Sequence, residues 1–386
     1  MKSRLKKVGI LAFGNKHGGG VYQYTQSIID ALKEDQTKKY ILFCNTDDNR
    51  FDNYDLEVRK IDKPISNLFK KILRLFQFLI FLNRPLFFTK NELDTFGDID
   101  IFISPAISIY PHIYMNKPFV FTLHDMQERY YPQFFSQHQR LMRWLNNRNL
   151  TRNAAKIICE SEYVKKDIVK FTGTNQNKIN VIPSPPPEEF LNYKFNQAQF
   201  EIVRKKYNLP QKYIFYPAQC WLHKNHINLV EAFDIVKDEI SDVNLVLTGS
   251  QQDSYPNLMQ RVDELGLSEK VKHLGYIDYK DLPYIYKMSQ MLVMPTLFES
   301  VSIPIYEAFA LEVPVCSSNV VALPEQVGDA GLIFDPHDVN DMAIKMLMYL
   351  KDENLQKEKA KKGFEKVINF NHKMYRIKLL EVLNLL

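Results

Sequence analysis

The sequence has few cysteines and no long apolar run. Four cysteines occur in 386 residues, without the CxxC spacing of a metal or redox site. Each lies in or beside an apolar run, so we expect buried thiols in a reducing cytosol rather than disulfides. No run of about 20 apolar residues is present, which argues against a membrane-spanning helix. The short apolar run near the N-terminus predicts a first strand rather than a signal peptide, so we expect a cytoplasmic protein.

Positive charge is modest overall but concentrated in one stretch. The net charge is +5, and residues 64–90 combine bulky apolar side chains with lysines and arginines. One interpretation is a core helix of the first domain whose basic residues are solvated. The other is a peripheral contact with the inner face of a membrane, where cations are drawn to anionic lipid. We expect no nucleic-acid partner, because these basic residues are not interleaved with stacking aromatics along a groove.

Apolar strand patterns alternate with helical patterns along both halves of the chain. At 386 residues, two domains of about 190 residues each are expected. The proline-rich run at 183–187 separates the halves and is expected to link them. The alternation predicts an α/β protein with two doubly wound sheets, one in an N-terminal domain over 1–187 and one in a C-terminal domain over 188–370.

The same patterns set the limits of individual elements. A basic and aromatic stretch at 127–153 predicts a single helix. Residues 313–316 predict a strand that ends before Ser317 and Ser318, which are expected in the following turn.

Two glutamates eight residues apart follow one of the predicted strands. The apolar run Met291–Met294 is typical of a buried parallel strand, and a helix is expected shortly after it. Glu299 then lies at the carboxyl end of the strand and Glu307 lies on the helix. Both are expected to face the crevice where α/β proteins bind ligands. The backbone amides at the helix N-terminus, which would suit a phosphate, belong to Val301, Ser302 and Ile303.

Three further motifs follow predicted strands. The sequence WLHKNH places Lys224 at a helix N-terminus, where it would pair with a diphosphate. His124 ends another strand, and the neighbouring carboxylate of Asp125 is expected to orient its ring. A glycine-rich loop, typical of close backbone approach to a ligand, contains Gly18, Gly19 and Gly20.

Together these motifs resemble the retaining, nucleotide-sugar-dependent glycosyltransferases of family 4, also described as glycosyl transferases of group 1. In order and spacing, the resemblance covers most of the chain. It implies the GT-B fold, with two Rossmann-like domains, a cleft between them, and a C-terminal helix at 371–386 that crosses back to the first domain. It also implies transfer of a sugar from a nucleotide sugar to a saccharide or lipid-linked acceptor in cell-surface polysaccharide or glycolipid biosynthesis, without a metal or other cofactor.

The resemblance also implies roles for individual residues. Glu307 would accept hydrogen bonds from the ribose hydroxyls, Glu299 would contact sugar hydroxyls, and His124 would sit near the sugar. Lys224, with the helix N-terminus and the glycine-rich loop, would stabilise the charge of the departing diphosphate. Further donor contacts are expected at the same edge of the second sheet, from Gln219, Asn225, Gly249 and Tyr276.

Two motifs depart from the pattern of the family. The family's usual run after the first glutamate is E-G-F-G, whereas this chain has Glu299-Ser300-Val301-Ser302, with serine in place of both glycines. Serine lacks the freedom of glycine at positive φ, so the backbone approach to the donor would change, or Ser302 would itself bond the donor. Gln219 replaces an arginine that usually precedes the lysine, and His223 is the candidate substitute for that cation.

Two other functions stay open, a nucleotide-sugar 2-epimerase and a catalytically silent partner subunit that keeps the fold. The epimerase would turn over the donor without an acceptor. Asp98 and Asp100 match the metal-binding DxD motif of the other large glycosyltransferase fold, GT-A. A predicted strand follows this motif here instead of preceding it, so we expect the two aspartates to cap that strand.

Overall fold

The chain divides into two units in its computed structural model. Unit 1 consists of Met1–Ser184 and His372–Leu386, and unit 2 consists of Pro185–Asn371. The structure describes residues 5–13, 20–51, 54–61, 72, 76, 94–107 and 117–386. The glycines Gly18 and Gly19 therefore lie outside the described residues, as does the stretch 64–90 apart from Ile72 and Phe76.

Within the described residues, seven parallel strands form the sheet of unit 1. They are β1 (Lys7–Leu11), β2 (Lys39–Asn45), β3 (Glu57–Ile61), β4 (Ile101–Ser104), β5 (Phe119–Thr122), β6 (Lys156–Cys159) and β7 (Ile179–Val181). Their order across the sheet is β3-β2-β1-β4-β5-β6-β7, and each neighbouring pair is parallel. Every residue of β4 and β5 is buried, as expected for strands covered on both faces.

Six parallel strands form the sheet of unit 2. They are β8 (Tyr213–Pro217), β9 (Asn244–Thr248), β10 (Val271–His273), β11 (Met291–Met294), β12 (Val315–Ser318) and β13 (Gly331–Phe334). Their order is β10-β9-β8-β11-β12-β13. The two units thus share one winding pattern, in which the strand order reverses between β1 and β4 and again between β8 and β11. Ligands of open α/β sheets bind beside such reversals, at the carboxyl ends of the strands.

Helices cover the faces of both sheets. Within the described residues they are α1 (Gly20–Leu32), α2 (Gln127–Tyr130), α3 (Gln137–Asn153), α4 (Glu162–Thr172), α5 (Glu188–Leu191), α6 (Gln197–Lys206), α7 (His226–Glu239), α8 (Tyr255–Glu264), α9 (Leu282–Met288), α10 (Ile303–Ala310), α11 (Leu323–Val327), α12 (Val339–Lys351), α13 (Glu353–Ile368) and α14 (His372–Asn384). Among the described residues, no helix combines the length and the apolar character that crossing a bilayer requires. All four cysteines are buried.

The single helix predicted over 127–153 is wrong. Helix α2 ends at Tyr130, a 3-10 turn covers Pro132–Phe134, and α3 begins only at Gln137. Proline has no N–H and disfavours the helical conformation of the residue before it, and Tyr131 accordingly has φ −124° and ψ 62°. Ser136 then starts α3 by accepting a hydrogen bond from the Gln139 backbone N–H.

Strand β12 also differs from its predicted limits. It starts after Pro314, which has no N–H for the strand ladder. Ser317 and Ser318, which were expected in a turn, instead pair with Ile333 and Phe334 of β13. Both serines are buried, and Ser318 Oγ donates to the Thr296 carbonyl at 2.8 Å.

The last helix, α14, belongs to unit 1 and packs against α1. Its Tyr375 is fully buried. Beyond its apolar face, Arg376 pairs with Glu34, and Lys38 Nζ donates to Asn384 Oδ1 at 2.6 Å. The C-terminus of the chain therefore completes the layer of helices that starts with the first helix.

Helices α10 and α13 of unit 2 make a close crossing at Gly363. A Cβ atom at this position would lie 2.9 Å from Phe309 Cε1 and Cγ. Phe309 belongs to the fully buried core, so its ring has no room to move aside. Gly363 is therefore required by packing, although glycine weakens a helix interior.

We expect Gly363→Ala to destabilise unit 2, although alanine is the better helix former. Overpacking of a buried crossing costs about 1–3 kcal/mol, which lowers a melting temperature by roughly 2–10 °C. Differential scanning calorimetry measures this change. The control is Gly20→Ala at the start of α1, where a Cβ atom would meet no described atom within 4 Å. Equal melting temperatures for wild type and Gly363→Ala would contradict the packing argument.

Candidate functional site

In unit 2, the loops after β8 and β11 meet where the strand order reverses. Lys224, in the first loop, forms an ion pair through Nζ with Oε2 of Glu299, in the second. The two side chains are 18% and 20% exposed, so the pair is partly shielded from water but open to a ligand. Two residues that were predicted separately to contact the nucleotide sugar are therefore in direct contact with each other.

The carbonyl of His223 joins these two loops. It accepts hydrogen bonds from the Leu297 backbone N–H at 2.8 Å and from Thr296 Oγ1 at 3.0 Å. Both donors come directly after Pro295, the proline that follows β11. The main chain of His223 is thus a fixed point of the site, beside the Lys224 side chain.

Asn225 connects the same loops from its side chain. Its backbone has φ 58°, in the left-handed region that asparagine tolerates better than most residues. Its buried Nδ2 donates to the carbonyls of Pro295 and Pro336, both at 2.9 Å. Both amide hydrogens are therefore used within the protein, and Asn225 supports the loops that carry Lys224 and Glu299.

Glu307 is buried beneath this edge of the sheet. It is 3% exposed, and its Oε2 accepts a hydrogen bond of 2.6 Å from the hydroxyl of Tyr286 on α9. Burial raises the pKa of Glu307 to about 7, although the Tyr286 hydrogen bond acts in the opposite direction. A charged Glu307 is thus costly unless further donors, such as ligand hydroxyls, reach it.

Ser302 is held by Gln326 of α11. The Ser302 backbone N–H donates to Gln326 Oε1 at 2.9 Å, and Gln326 Nε2 donates to the Ser302 carbonyl at 2.6 Å. The Ser302 amide, which the sequence analysis offered to a phosphate, is therefore already used. Val301 and Ile303 flank it and are half-buried.

Serine at 302 causes no backbone strain. Its φ is −109° and its ψ is 108°, an extended conformation that any residue adopts. Ser302 thus does not need the positive φ that glycine allows, and both an altered backbone approach to the nucleotide sugar and a direct bond from Ser302 stay predictions. The Ser302 Oγ is buried and has no hydrogen-bond partner among the described residues.

Three other residues that were predicted to contact the nucleotide sugar lie along the same edge of the sheet, in different surroundings. Gln219 Oε1 accepts from Trp221 Nε1 at 2.9 Å and so holds the indole ring. Gly249 has φ 121°, and a Cβ atom there would lie 2.6 Å from the Ala218 carbonyl oxygen, so only glycine fits. Tyr276 follows β10 and is 84% exposed.

In unit 1, His124 stands at the end of β5 between two acceptors. Its Nδ1 lies 2.9 Å from Oε2 of Glu160, and its Nε2 lies 2.8 Å from the Pro105 carbonyl oxygen. The expectation that Asp125 orients this ring is wrong. Asp125 accepts hydrogen bonds from the Arg143 guanidinium at 2.7 Å and from the Gln127 backbone N–H at 3.0 Å.

Polar and aromatic groups surround His124 and Glu160. The Tyr24 ring meets the imidazole edge to face at 4.6 Å, and its hydroxyl lies 2.9 Å from Thr122 Oγ1. Ser184 Oγ donates to Glu160 Oε1 at 2.7 Å. Burial alone would lower the pKa of His124, but its hydrogen bond to the Glu160 carboxylate and the charge of that group outweigh burial, so the pKa is raised.

Three residues that contact the predicted site residues were not predicted from the sequence: Glu160, Tyr286 and Gln326. Glu160 directly follows β6, so the rule that selected His124 at the end of β5 would also have found it. Tyr286 and Gln326 lie inside helices, where no local pattern separates them from core residues. Gly20, the described member of the predicted glycine loop, begins α1 of unit 1.

The two aspartates of the DxD pattern serve the start of β4. Asp98 binds the Arg59 guanidinium at 2.7 Å and Lys7 Nζ at 2.5 Å, and Asp100 accepts from the Lys7 backbone N–H at 2.8 Å. These contacts connect β1, β3 and β4. In the part of the chain that the structure describes, no group of three or more His, Cys, Asp or Glu side chains is arranged to hold a metal ion.

Comparisons with known proteins cover both halves of the chain. A family model described as Glycosyltransferase Family 4 matches residues 18–187, and one described as Glycosyl transferases group 1 matches residues 199–366. The chain is 28% identical over 294 residues to the O-antigen chain mannosyltransferase B of Escherichia coli, an alignment that covers 74% of this chain and 69% of that protein.

Two further similarities extend over longer parts of the chain. It is 25% identical over 339 residues to the O-antigen chain mannosyltransferase RfbU of Salmonella typhimurium, which covers 87% of this chain and 89% of that protein. The crystal structure of Anabaena HepE in complex with UDP and glucose superposes with a TM-score of 0.79 at 18% identity, covering 99% of this chain and 100% of that one. This structural similarity shows that the two proteins share the GT-B fold.

The buried carboxyl group of Glu307 should make the stability of the protein depend on pH. Its raised pKa means that the folded protein binds more protons than the unfolded chain between about pH 4.5 and about pH 7. Stability from this group is therefore present at low pH and is lost as the pH rises through that window. We expect Glu307→Gln to remove this loss of stability at higher pH, since glutamine stays neutral and can still accept the hydrogen bond from Tyr286.

The gain of Glu307→Gln over wild type should therefore be larger at about pH 8 than at about pH 5. The expected difference in unfolding free energy is on the order of 2 kcal/mol, measured by urea denaturation at both pH values. Glu353→Gln, whose carboxylate is 85% exposed, serves as the control. The same gain at both pH values would show that Glu307 is charged without penalty in the folded protein.

Proposed function

Since the chain belongs to the glycosyl transferases of group 1, we propose that it moves a hexose from a nucleoside diphosphate sugar to a saccharide or lipid-linked saccharide, with retention of anomeric configuration. The product belongs to cell-surface polysaccharide or glycolipid assembly. Two relatives that match this chain are named as O-antigen mannosyltransferases, which favours mannose as the sugar. We place the reaction in the cytoplasm, and contact of residues 64–90 with the inner face of the membrane is one of the two interpretations of that stretch.

The observation that carries this proposal is the Lys224–Glu299 pair at the reversal of the second sheet. A carboxylate already binds the lysine ammonium there, so an anionic oxygen is the natural ligand of Lys224. A diphosphate brings more negative charge than one carboxylate and would compete for this ammonium group. Glu299 would then be released to accept hydrogen bonds from the hydroxyls of the sugar.

The nucleoside would be recognised deeper in unit 2. The buried carboxylate of Glu307 is proposed to accept hydrogen bonds from the two ribose hydroxyls. These two hydrogen bonds would favour the charged form of Glu307. Tyr286 holds the second carboxylate oxygen at 2.6 Å and so fixes the direction of the group. The exposed Tyr276 lies at the end of β10, where the base is expected.

Stabilisation of the leaving group is the proposed source of catalysis. The bond between the anomeric carbon and the diphosphate oxygen breaks, and its electron pair stays on the diphosphate. The acceptor hydroxyl oxygen forms the new bond on the same face, and its proton passes to an oxygen of the departing diphosphate. Lys224 would be closest to the growing negative charge, and this supply of positive charge by the protein is why we propose a reaction that needs no metal ion.

We do not assign Glu299 the role of a covalent nucleophile. Its carboxylate is bound to Lys224, which lowers the reactivity of the oxygen that the pair uses. The proposed role is to place the donor through its sugar hydroxyls.

Binding of nucleoside diphosphates tests the proposal. We expect one of UDP, GDP, dTDP and ADP to bind to the purified protein in a calorimetric titration. Lys224→Ala should weaken that binding about tenfold or more, because a charge-assisted contact to phosphate is lost. Glu299→Gln should bind the nucleotide as tightly as wild type or more tightly, because it frees Lys224, while sugar transfer falls.

The control is Lys361→Ala on α13, which removes a lysine whose side chain is 75% exposed. If none of the four nucleotides binds, or if Glu299→Gln weakens binding as much as Lys224→Ala, the assigned donor site is wrong. Conversion of the nucleotide sugar to its epimer in the absence of an acceptor would show that the protein is an epimerase and not a transferase.

A further inference from the structure

The two hydrogen-bond acceptors beside His124 determine how many protons lie between the imidazole ring and these acceptors. A backbone carbonyl only accepts hydrogen bonds, so Nε2, 2.8 Å from the Pro105 oxygen, must carry a hydrogen. At 2.9 Å, a bare Nδ1 would point its lone pair at the Glu160 carboxylate, which is repulsive. A second proton must therefore lie between His124 and Glu160.

The surroundings of Glu160 place this proton on the histidine. Ser184 Oγ is buried and donates to Oε1 of Glu160 at 2.7 Å, so Oε1 acts as an acceptor and carries no proton. Glu160 is itself 8% exposed and needs a charged partner in that setting. The raised pKa of His124 agrees with this assignment.

No other described group near the ring competes for its charge. Asp125 adds a weaker attraction, but its carboxylate is engaged by Arg143. Tyr24 of α1 packs against the ring in a T-shaped arrangement, and Tyr375 of α14 is buried near Tyr24 and Glu160. Burial raises the pKa of both tyrosine hydroxyls, so both stay neutral.

We propose that Glu160 is a positioning residue that keeps His124 as a doubly protonated imidazolium, oriented for sugar transfer. The part of this inference that concerns transfer rests on the proposed function and on the expectation that His124 lies near the sugar of the nucleotide sugar. With both N–H groups donated to the protein, the ring accepts no proton from the acceptor hydroxyl. While Glu160 is present, loss of the shared proton removes the charge of the ring and turns its Nδ1 contact repulsive.

The matched variants are Glu160→Gln and Asp125→Asn. Glutamine keeps the shape of Glu160, and its amide N–H₂ can donate to an unprotonated Nδ1, so it favours neutral His124. Asparagine at 125 keeps the oxygen that Arg143 and the Gln127 N–H contact. Both variants remove one carboxylate near the ring, but only the first removes the one in contact with it.

The protonation state of His124 is read from its imidazole ¹⁵N signals in histidine-labelled, unliganded protein. His124→Asn identifies the signals among those of the nine histidines. We expect imidazolium shifts at about pH 7 in wild type and in Asp125→Asn, and neutral shifts in Glu160→Gln. Neutral His124 in wild type, or equal changes in the two carboxylate variants, would overturn the inference.

The pH dependence of transfer provides the second measurement, with the donor that calorimetry identifies. We expect the activity of Glu160→Gln relative to wild type to fall about tenfold from about pH 6 to about pH 8, because the variant loses the ring proton earlier. A constant ratio across this range would overturn the positioning role. Failure of the proposed function looks different, since wild type itself would then bind no nucleotide while the ¹⁵N shifts still report the pair.

Discussion

The parallel pairing of every strand is the constraint on which the rest of this structure depends. Parallel strands direct all their carboxyl ends to one edge, and the reversal of strand order opens a gap between two neighbouring loops there. In unit 2 that gap brings Lys224 against Glu299, although the two residues stand 75 positions apart in the chain. In unit 1 the same geometry sets the carbonyl after β4 beside the imidazole after β5.

Burial of polar groups at these edges is the second constraint. An unsatisfied buried donor or acceptor costs about 1–3 kcal/mol, which favours a partner from another element for a buried polar group. Tyr286 supplies this partner for Glu307, Gln326 for the backbone of Ser302, and Glu160 for His124. These partners fix the orientation of the groups they contact, which is what a binding or catalytic site needs before its ligand arrives.

The pairing of Ser302 with Gln326 shows what holds the backbone at a position where the chain departs from its family pattern. The backbone at 302 is extended, so it makes no use of the conformational freedom of glycine. Two hydrogen bonds from one glutamine side chain hold both polar groups of that peptide backbone. The loop that carries Glu299 is thus held at its far end by α11, and a serine side chain fits in the buried space beside it.

The sequence by itself determined the family, the two parallel sheets, and the residues that lie at strand ends. Apolar runs and the residues that interrupt them are local, so strands such as Met291–Met294 and the positions of His124, Lys224 and Glu299 follow from neighbouring residues alone. Only the tertiary structure decided which groups touch. The orienting carboxylate of His124 is Glu160 rather than Asp125, and the Ser302 amide is bound by Gln326, because hydrogen-bond partners are chosen by distance in space, which residues adjacent in sequence do not report.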